Sequence, residues 1–348
     1  MVTATSAPTA PISTGAPRSV RRHPRTACTG RRHPVVTERT VTVRGGVKLA
    51  VRDQEPADAA STVVLLHGLC LDQESWAGQI DHLTRQWGNR VRIISYDHRG
   101  HGLSDSAPKR TYTVAQLADD LGEVLTALRV TGPLTLAGHS MGGMVALAYL
   151  GRPRADRPVE PTGLVLAATA AGRLTERGIP RLLANPATNI LCGLAAVTPH
   201  RAISLLSKPV FAALALRCDA DARSTLSRLF AETSAAATSV DTAAGFLPGL
   251  KSFDQLSTLG SIRAETIVLS GGVDVLTPSA HGHEMAAAIP GATHVHLPEA
   301  GHMLLDEAAH AVTAAISQTI STRIGARPRP ASGNHASSQL FSRITKAA

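Results

Sequence analysis

No run of apolar residues in the 348-residue chain approaches the roughly 20 that a bilayer-spanning helix needs, so the sequence predicts no transmembrane segment. Cysteine is scarce: Cys28, Cys70, Cys192 and Cys218 stand far apart, with no C-x-x-C pair and no zinc-type spacing. That argues against a metal ribbon or a disulfide scaffold and fits a reducing, cytoplasmic setting. Aromatic residues make up only 3% of the chain. None are interleaved with the basic stretches, so the pattern offers no stacking platform for single-stranded nucleic acid. No apolar stretch of about 7 to 15 residues follows Arg21-Arg22, which argues against an export signal.

Acidic residues are missing from both ends. Residues 1–34 carry Arg18, Arg21, Arg22, Arg25, Arg31 and Arg32, and residues 323–348 carry Arg323, Arg327, Arg329, Arg343 and Lys346, with no Asp or Glu in either. These account for more than the whole formal charge of +9, so the body between them is close to neutral. The termini read as disordered basic tails, since neither has the apolar periodicity that repays the entropy of ordering. The tails predict weak peripheral contact with anionic membrane at most, and no specific nucleic-acid partner.

The body is rich in short apolar runs. Arg39–Val43 and Lys48–Arg52 alternate around Gly45-Gly46 and predict an antiparallel hairpin at a sheet edge. Residues 62–66, 91–95, 134–137, 163–168, 266–270 and 293–297 are nearly continuous Val, Ile and Leu runs, the pattern of strands buried on both faces. Between them lie helical patterns. The clearest begins at Thr113, an N-cap with Gln116 three residues on, and places Val114, Leu117, Leu121, Leu125 and Leu128 on one face before Gly132-Pro133 closes it. Such alternation predicts an α/β fold, a parallel sheet with helices on both faces and ligands at the carboxyl ends of its strands. The rhythm breaks from 172 to about 250, where apolar helical patterns run without a convincing strand. This segment reads as a helical cap. The expected organisation is thus a basic tail (1–34), a core in two parts (35–171 and 251–322) flanking the cap (172–250), and a second basic tail (323–348).

The chain is organised around Leu134–Leu147, where a strand pattern ends in Gly138-His139-Ser140-Met141-Gly142 and a helix begins. A serine at such an apex is pushed into a pocket by a strained backbone, and glycines on either side avoid collision with the adjoining strand and helix. A serine hydroxyl at neutral pH needs a base and an acid to orient that base. Of 15 histidines, His302 directly follows the last strand and precedes a helix, whereas His294 and His296 lie within that strand and His281 and His283 in the preceding helix. Asp274 follows the strand at 266–270 through Gly271-Gly272-Val273; Asp254 and Glu284 are less well placed. Ser140, Asp274 and His302 are therefore the predicted nucleophile, acid and base. The predicted oxyanion donors are the backbone N–H groups of Met141 and of Leu69, the latter in the loop after the first core strand. His67, at the end of that strand, reads as a loop brace.

The motifs His67-Gly68-Leu69, Asp97-His98-Arg99-Gly100-His101-Gly102-Leu103-Ser104, Gly138-His139-Ser140-Met141-Gly142-Gly143, Gly272-Val273-Asp274 and Gly301-His302 together resemble the α/β-hydrolase superfamily across residues 37 to 322. The resemblance implies an eight-stranded, mostly parallel sheet with a lid after the sixth strand. It implies a structural part for Asp97, Arg99 and Asp105. Serine at position 140 speaks against the dehalogenase and epoxide hydrolase branches, which carry aspartate there. The expected activity is cleavage of an apolar small-molecule or lipid ester, as in carboxylesterases and lipase-like enzymes, with no metal or organic cofactor. The same scaffold also hosts cofactor-free haloperoxidases, thioesterases, amidases, carbon–carbon bond hydrolases and ligand-binding receptors.

Overall fold

The computed structural model describes residues 35–177 and 240–324. Residues 1–34, 178–239 and 325–348, which hold the tails and most of the expected cap, lie outside them.

Eight strands form one sheet in the order β1-β2-β4-β3-β5-β6-β7-β8. The expected hairpin is β1 (Val36–Val43) and β2 (Val47–Gln54), antiparallel, with β1 at one edge. β2 runs antiparallel to β4 (Val91–Tyr96). The pairs that join β4, β3 (Ser61–Leu66), β5 (Leu134–His139), β6 (Gly163–Ala167), β7 (Glu265–Gly271) and β8 (Thr293–Leu297) are all parallel. The expected strands are present, with ends shifted by at most three residues.

Why the strands lack polar alternation is clear from β3. Val64 and Leu66 enter the core on one side, with Leu117 and Leu121 of α2 (Val114–Ala127), Met144 and Leu147 of α3 (Met141–Leu150), and Met285. Val63 and Leu65 point the other way, into a second core with Leu83 and Trp87 of α1 (Ala77–Trp87) and Ile316 and Ile320. Each side chain buried this way contributes about 1.5–3 kcal/mol. A polar residue at any of the four would lose that and strand its own hydrogen-bonding groups.

Helix α2 starts where expected, with the Thr113 side chain accepting from the Gln116 N–H. It ends earlier than Gly132-Pro133. The Val130 N–H donates to the Leu125 carbonyl and the Arg129 N–H to that of Thr126, a Schellman closure with Arg129 in the left-handed region at φ 50°. Burial of both Leu128 and Val130 explains why the chain turns there although no glycine is present to make the turn easy.

Beyond residue 239 come α4 (Val240–Lys251), whose Phe246 packs on Tyr112, α5 (Leu256–Leu259) and α6 (Ser279–Ala288). They are followed by α7 (Leu304–Glu307) and α8 (Ala309–Ile324). From β3 the chain goes to β4 on one side, then crosses to β5 on the other. That reversal opens a crevice at the strand carboxyl ends. Ser140 and the His67–Cys70 loop both border it. No helix among the described residues is long and apolar enough to cross a membrane.

Candidate active site

Ser140 joins β5 to α3 with φ 52° and ψ −120°. A non-glycine residue holds such a conformation only when its surroundings over-determine it. Here β6 and the residues just after it do so from both sides of the serine. The Ser140 N–H donates to the Ala167 carbonyl (2.9 Å), and its own carbonyl accepts from the Thr169 hydroxyl (2.7 Å) and the Gly143 N–H (3.0 Å).

The flanking glycines are needed as the sequence implied. A Cβ on Gly138 would overlap the backbone of Gly142 and Gly143, and one on Gly142 would overlap the Leu66 carbonyl. Neither neighbour is a flexible side chain. Gly142→Ala is therefore expected to destabilise the protein by at least about 2 kcal/mol, measured by urea unfolding. Wild-type stability in that variant would mean that β3 and α3 can separate freely.

The structure brings the three dispersed residues together. His302 Nε2 lies 3.0 Å from Ser140 Oγ, and His302 Nδ1 lies 2.9 Å from Asp274 Oδ2. Asp274 and His302 are buried, at 4% and 3% exposure, while Ser140 is half-buried. Burial alone would raise the Asp274 carboxyl, but the adjacent His302 ring and the hydrogen bonds from His302 and Thr277 outweigh it and hold the group below its ordinary value. An ionised Asp274 fixes the proton of His302 on Nδ1. Nε2 is then the acceptor for the serine hydroxyl.

The loop after β3 presses against the elbow: a Cβ on Gly68 would stand 3.2 Å from Ser140 Cβ. His67 braces this loop, with Nδ1–H donating to the Gly68 carbonyl (2.8 Å) and Nε2 accepting from the His98 N–H (2.9 Å). With both nitrogens engaged, and burial pushing it down to about 4, His67 is not placed as a base. Met141 N–H is at the first position of α3, where helix geometry supplies no acceptor and the helix dipole is positive. Neither it nor the Leu69 N–H donates to any described residue.

The other candidates are otherwise engaged. Asp254 Oδ1 accepts from the Leu256 N–H (2.9 Å), and Glu284 pairs with Arg173 and Arg177. His283, His294 and His296 line a recess of about 700 Å³ with Arg177 and Glu284, and Ser140 is not part of its wall. Asp97 binds the Gln73 and Leu103 N–H groups (2.8 Å each), Arg99 is clamped on buried Asp120 (2.6 Å), and Asp105 takes the Lys48 N–H (3.0 Å). All three hold loops, as the resemblance implied. Among the described residues no group of three or more His, Cys, Asp or Glu is placed to hold a metal ion.

Three contacts are not foreseen by the sequence pattern. The His139 Nε2–H donates to the His302 carbonyl (2.8 Å), tying the elbow to the histidine loop. Thr169 holds the Ser140 carbonyl, and the Thr277 hydroxyl reaches Asp274 Oδ2 (2.8 Å). Only Thr277 carries a local signal, since an Asp followed by a turn is a place to look for a capping hydroxyl.

Comparison with known proteins agrees with this architecture. Residues 61–309 match the family described as alpha/beta hydrolase fold. A cis-3-alkyl-4-alkyloxetan-2-one decarboxylase of Xanthomonas campestris pv. campestris is 37% identical over 120 residues, 32% of this chain. The chain spans only 38% of the length of that relative. The AB hydrolase superfamily protein YisY of Bacillus subtilis is 26% identical over 228 residues, covering 65% of this chain and 79% of that protein. Among solved structures, the enol-lactonase of Burkholderia xenovorans LB400 superposes with a TM-score of 0.62 at 27% identity, over 81% of this chain and all of that one. With the sheet order, the elbow and this family match in agreement, the chain belongs to the α/β-hydrolase fold family.

Proposed function

We propose that this protein is a serine hydrolase that cleaves a carboxylic ester of an apolar small molecule or lipid through an acyl-enzyme. The observation that carries the reading is the unbroken relay from Ser140 Oγ to His302 Nε2 (3.0 Å) and from His302 Nδ1 to Asp274 Oδ2 (2.9 Å). Ser140 Oγ attacks the ester carbonyl as His302 Nε2 takes its proton. Asp274 stays ionised and stabilises the imidazolium. The oxyanion that forms lies between the N–H groups of Leu69 and Met141, which have no acceptor among the described residues. His302 then protonates the departing alcohol. A water molecule, deprotonated by the same histidine, adds to the acyl-enzyme, and collapse of that second tetrahedral intermediate releases the acid and restores Ser140.

One likeness among the solved structures supports an ester bond. A lactone is a cyclic ester, so the likeness to the enol-lactonase points to the same bond type. The test is hydrolysis of p-nitrophenyl esters from acetate to palmitate. Turnover with a clear preference in chain length is expected. Absence of hydrolysis at every length in folded protein would overturn the reading, and fast peroxide-dependent halide oxidation with acetate in its place would move the assignment to a perhydrolase.

A further inference from the structure

Asp274 accepts four hydrogen bonds. Its Oδ1 takes the N–H groups of Leu276 (2.8 Å) and Thr277 (2.9 Å), and its Oδ2 takes the Thr277 hydroxyl (2.8 Å) and His302 Nδ1–H (2.9 Å). The Thr277 oxygen also stands 3.3 Å from His302 Nδ1, closing a triangle of hydroxyl, carboxylate oxygen and ring nitrogen. Thr277 is buried at 4% exposure, so water does not compete for these bonds.

We propose that Thr277 is a positioning residue that sets the proton affinity of His302 by sharing the Asp274 oxygen on which that histidine depends. The inference rests on the serine-hydrolase assignment. The turn itself does not need the hydroxyl. Its closure comes from the two backbone N–H groups on Oδ1, which any residue but proline supplies at position 277. What the hydroxyl adds falls chiefly on Oδ2, at 2.8 Å against 3.3 Å to His302 Nδ1. A donor there draws off part of the negative charge that the imidazolium would otherwise see, and so lowers the tendency of His302 to hold a second proton. It also stops the carboxylate from rotating about its Cβ–Cγ bond. The β-branched threonine has few side-chain rotamers, which keeps the hydroxyl on that oxygen.

The experiment is the pH profile of kcat/KM on the preferred p-nitrophenyl ester for wild type, Thr277→Val, Thr277→Ala and Thr277→Ser. It is taken over the pH range in which each protein gives the native circular dichroism spectrum. The acid limb reports the base of the free enzyme. Loss of the hydroxyl in the valine and alanine variants is expected to move that limb to higher pH by about half a unit, and serine is expected to return it to the wild-type position. A purely structural threonine would lower rates with the limb in place. A limb that stays put in both valine and alanine variants, or that moves equally in serine, overturns the inference. Ser140→Ala is run beside them. If that variant turns over like wild type, the serine-hydrolase assignment itself fails; if it is inactive while the limbs do not move, only the part assigned to Thr277 falls.

Discussion

Ser140→Ala is expected to lower kcat on the preferred p-nitrophenyl ester by about a millionfold while leaving the protein folded. The size of the loss follows from removing the attacking atom. What remains is a site that still binds substrate and still presents the Leu69 and Met141 N–H groups, which alone give a residual acceleration of about a thousandfold or more over water. Stability should change little. Alanine keeps the backbone bonds that hold the elbow, from the Ser140 N–H to Ala167 and from Thr169 to the Ser140 carbonyl. It loses only the bond to His302, so the thermal midpoint is expected within about 3 °C of wild type. His302→Ala should cost nearly as much in kcat, and the double variant scarcely more than either, because nucleophile and base act as one unit. The measurement is burst and steady-state release of p-nitrophenolate, with circular dichroism melts of each variant. More than about a hundredth of wild-type activity in Ser140→Ala would mean that another group attacks the ester, since a deleted nucleophile leaves far less.

The parts of this site that are legible in the sequence share a physical property: they are fixed by local residues. β3 is legible because Ser61–Leu66 is buried along its whole length, and only a strand covered on both faces tolerates so apolar a run. Ser140 is legible because Gly138 and Gly142 are demanded by neighbouring backbone. Asp274 and His302 are legible because each comes just after a strand, at the edge where loops meet. What stays hidden depends on elements far apart in the chain. Thr169 touches a carbonyl 29 residues earlier, and His139 touches one 163 residues later. No periodicity encodes such pairs. The end of α2 differs from the sequence expectation for another reason. Glycine is the usual left-handed stop, but burial of Leu128 and Val130 places the turn at Arg129, where local propensity alone would not. The position of β4 between β2 and β3 is likewise a property of the crossovers and not of the strand itself.

Acidification from pH 7 to pH 5 is expected to remove at least about half of the protein's stability, and the cause lies in four histidines that take no direct part in the proposed chemistry. His67, His98, His101 and His139 are each no more than 1% exposed. The first three form a cluster, with ring centroids 4.3 Å (His67 to His98), 5.1 Å (His67 to His101) and 6.3 Å (His98 to His101) apart. Both ring nitrogens of His98, and one each of His101 and His139, lack a hydrogen-bond partner among the described residues. Burial pushes His67 down to about 4 and His101 and His139 to about 3, and holds His98 well below its ordinary value of 6.5. In the unfolded chain all four titrate near 6.5. Between that pH and about 4 the unfolded state therefore binds more protons than the folded one. Their stabilising effect is complete above about 6.5 and is lost as pH falls. At its steepest the slope is up to four protons, about 5 kcal/mol per pH unit. Integrated from pH 7 to pH 5 the four rings cost about 7–8 kcal/mol, comparable with a whole net stability of about 5–15 kcal/mol. His281 and His294, also lowered by burial, add in the same direction. Asp97 and Asp120, raised by burial, act in the opposite sense, the folded state taking up their protons at a pH above their ordinary value of 3.8. Urea unfolding at half-unit steps from pH 8 to pH 5 gives the slope directly. His98→Met removes one buried titrating ring with neither nitrogen bonded among the described residues, so it should lower the slope by about one proton while costing little stability at pH 8. A slope unchanged by that substitution would place the acid sensitivity elsewhere. Because His67 braces the loop after β3 and His139 holds the His302 carbonyl, protonation of either ring takes apart the loops that flank the proposed relay. Activity lost as the pH falls below 6 should then track loss of the folded state.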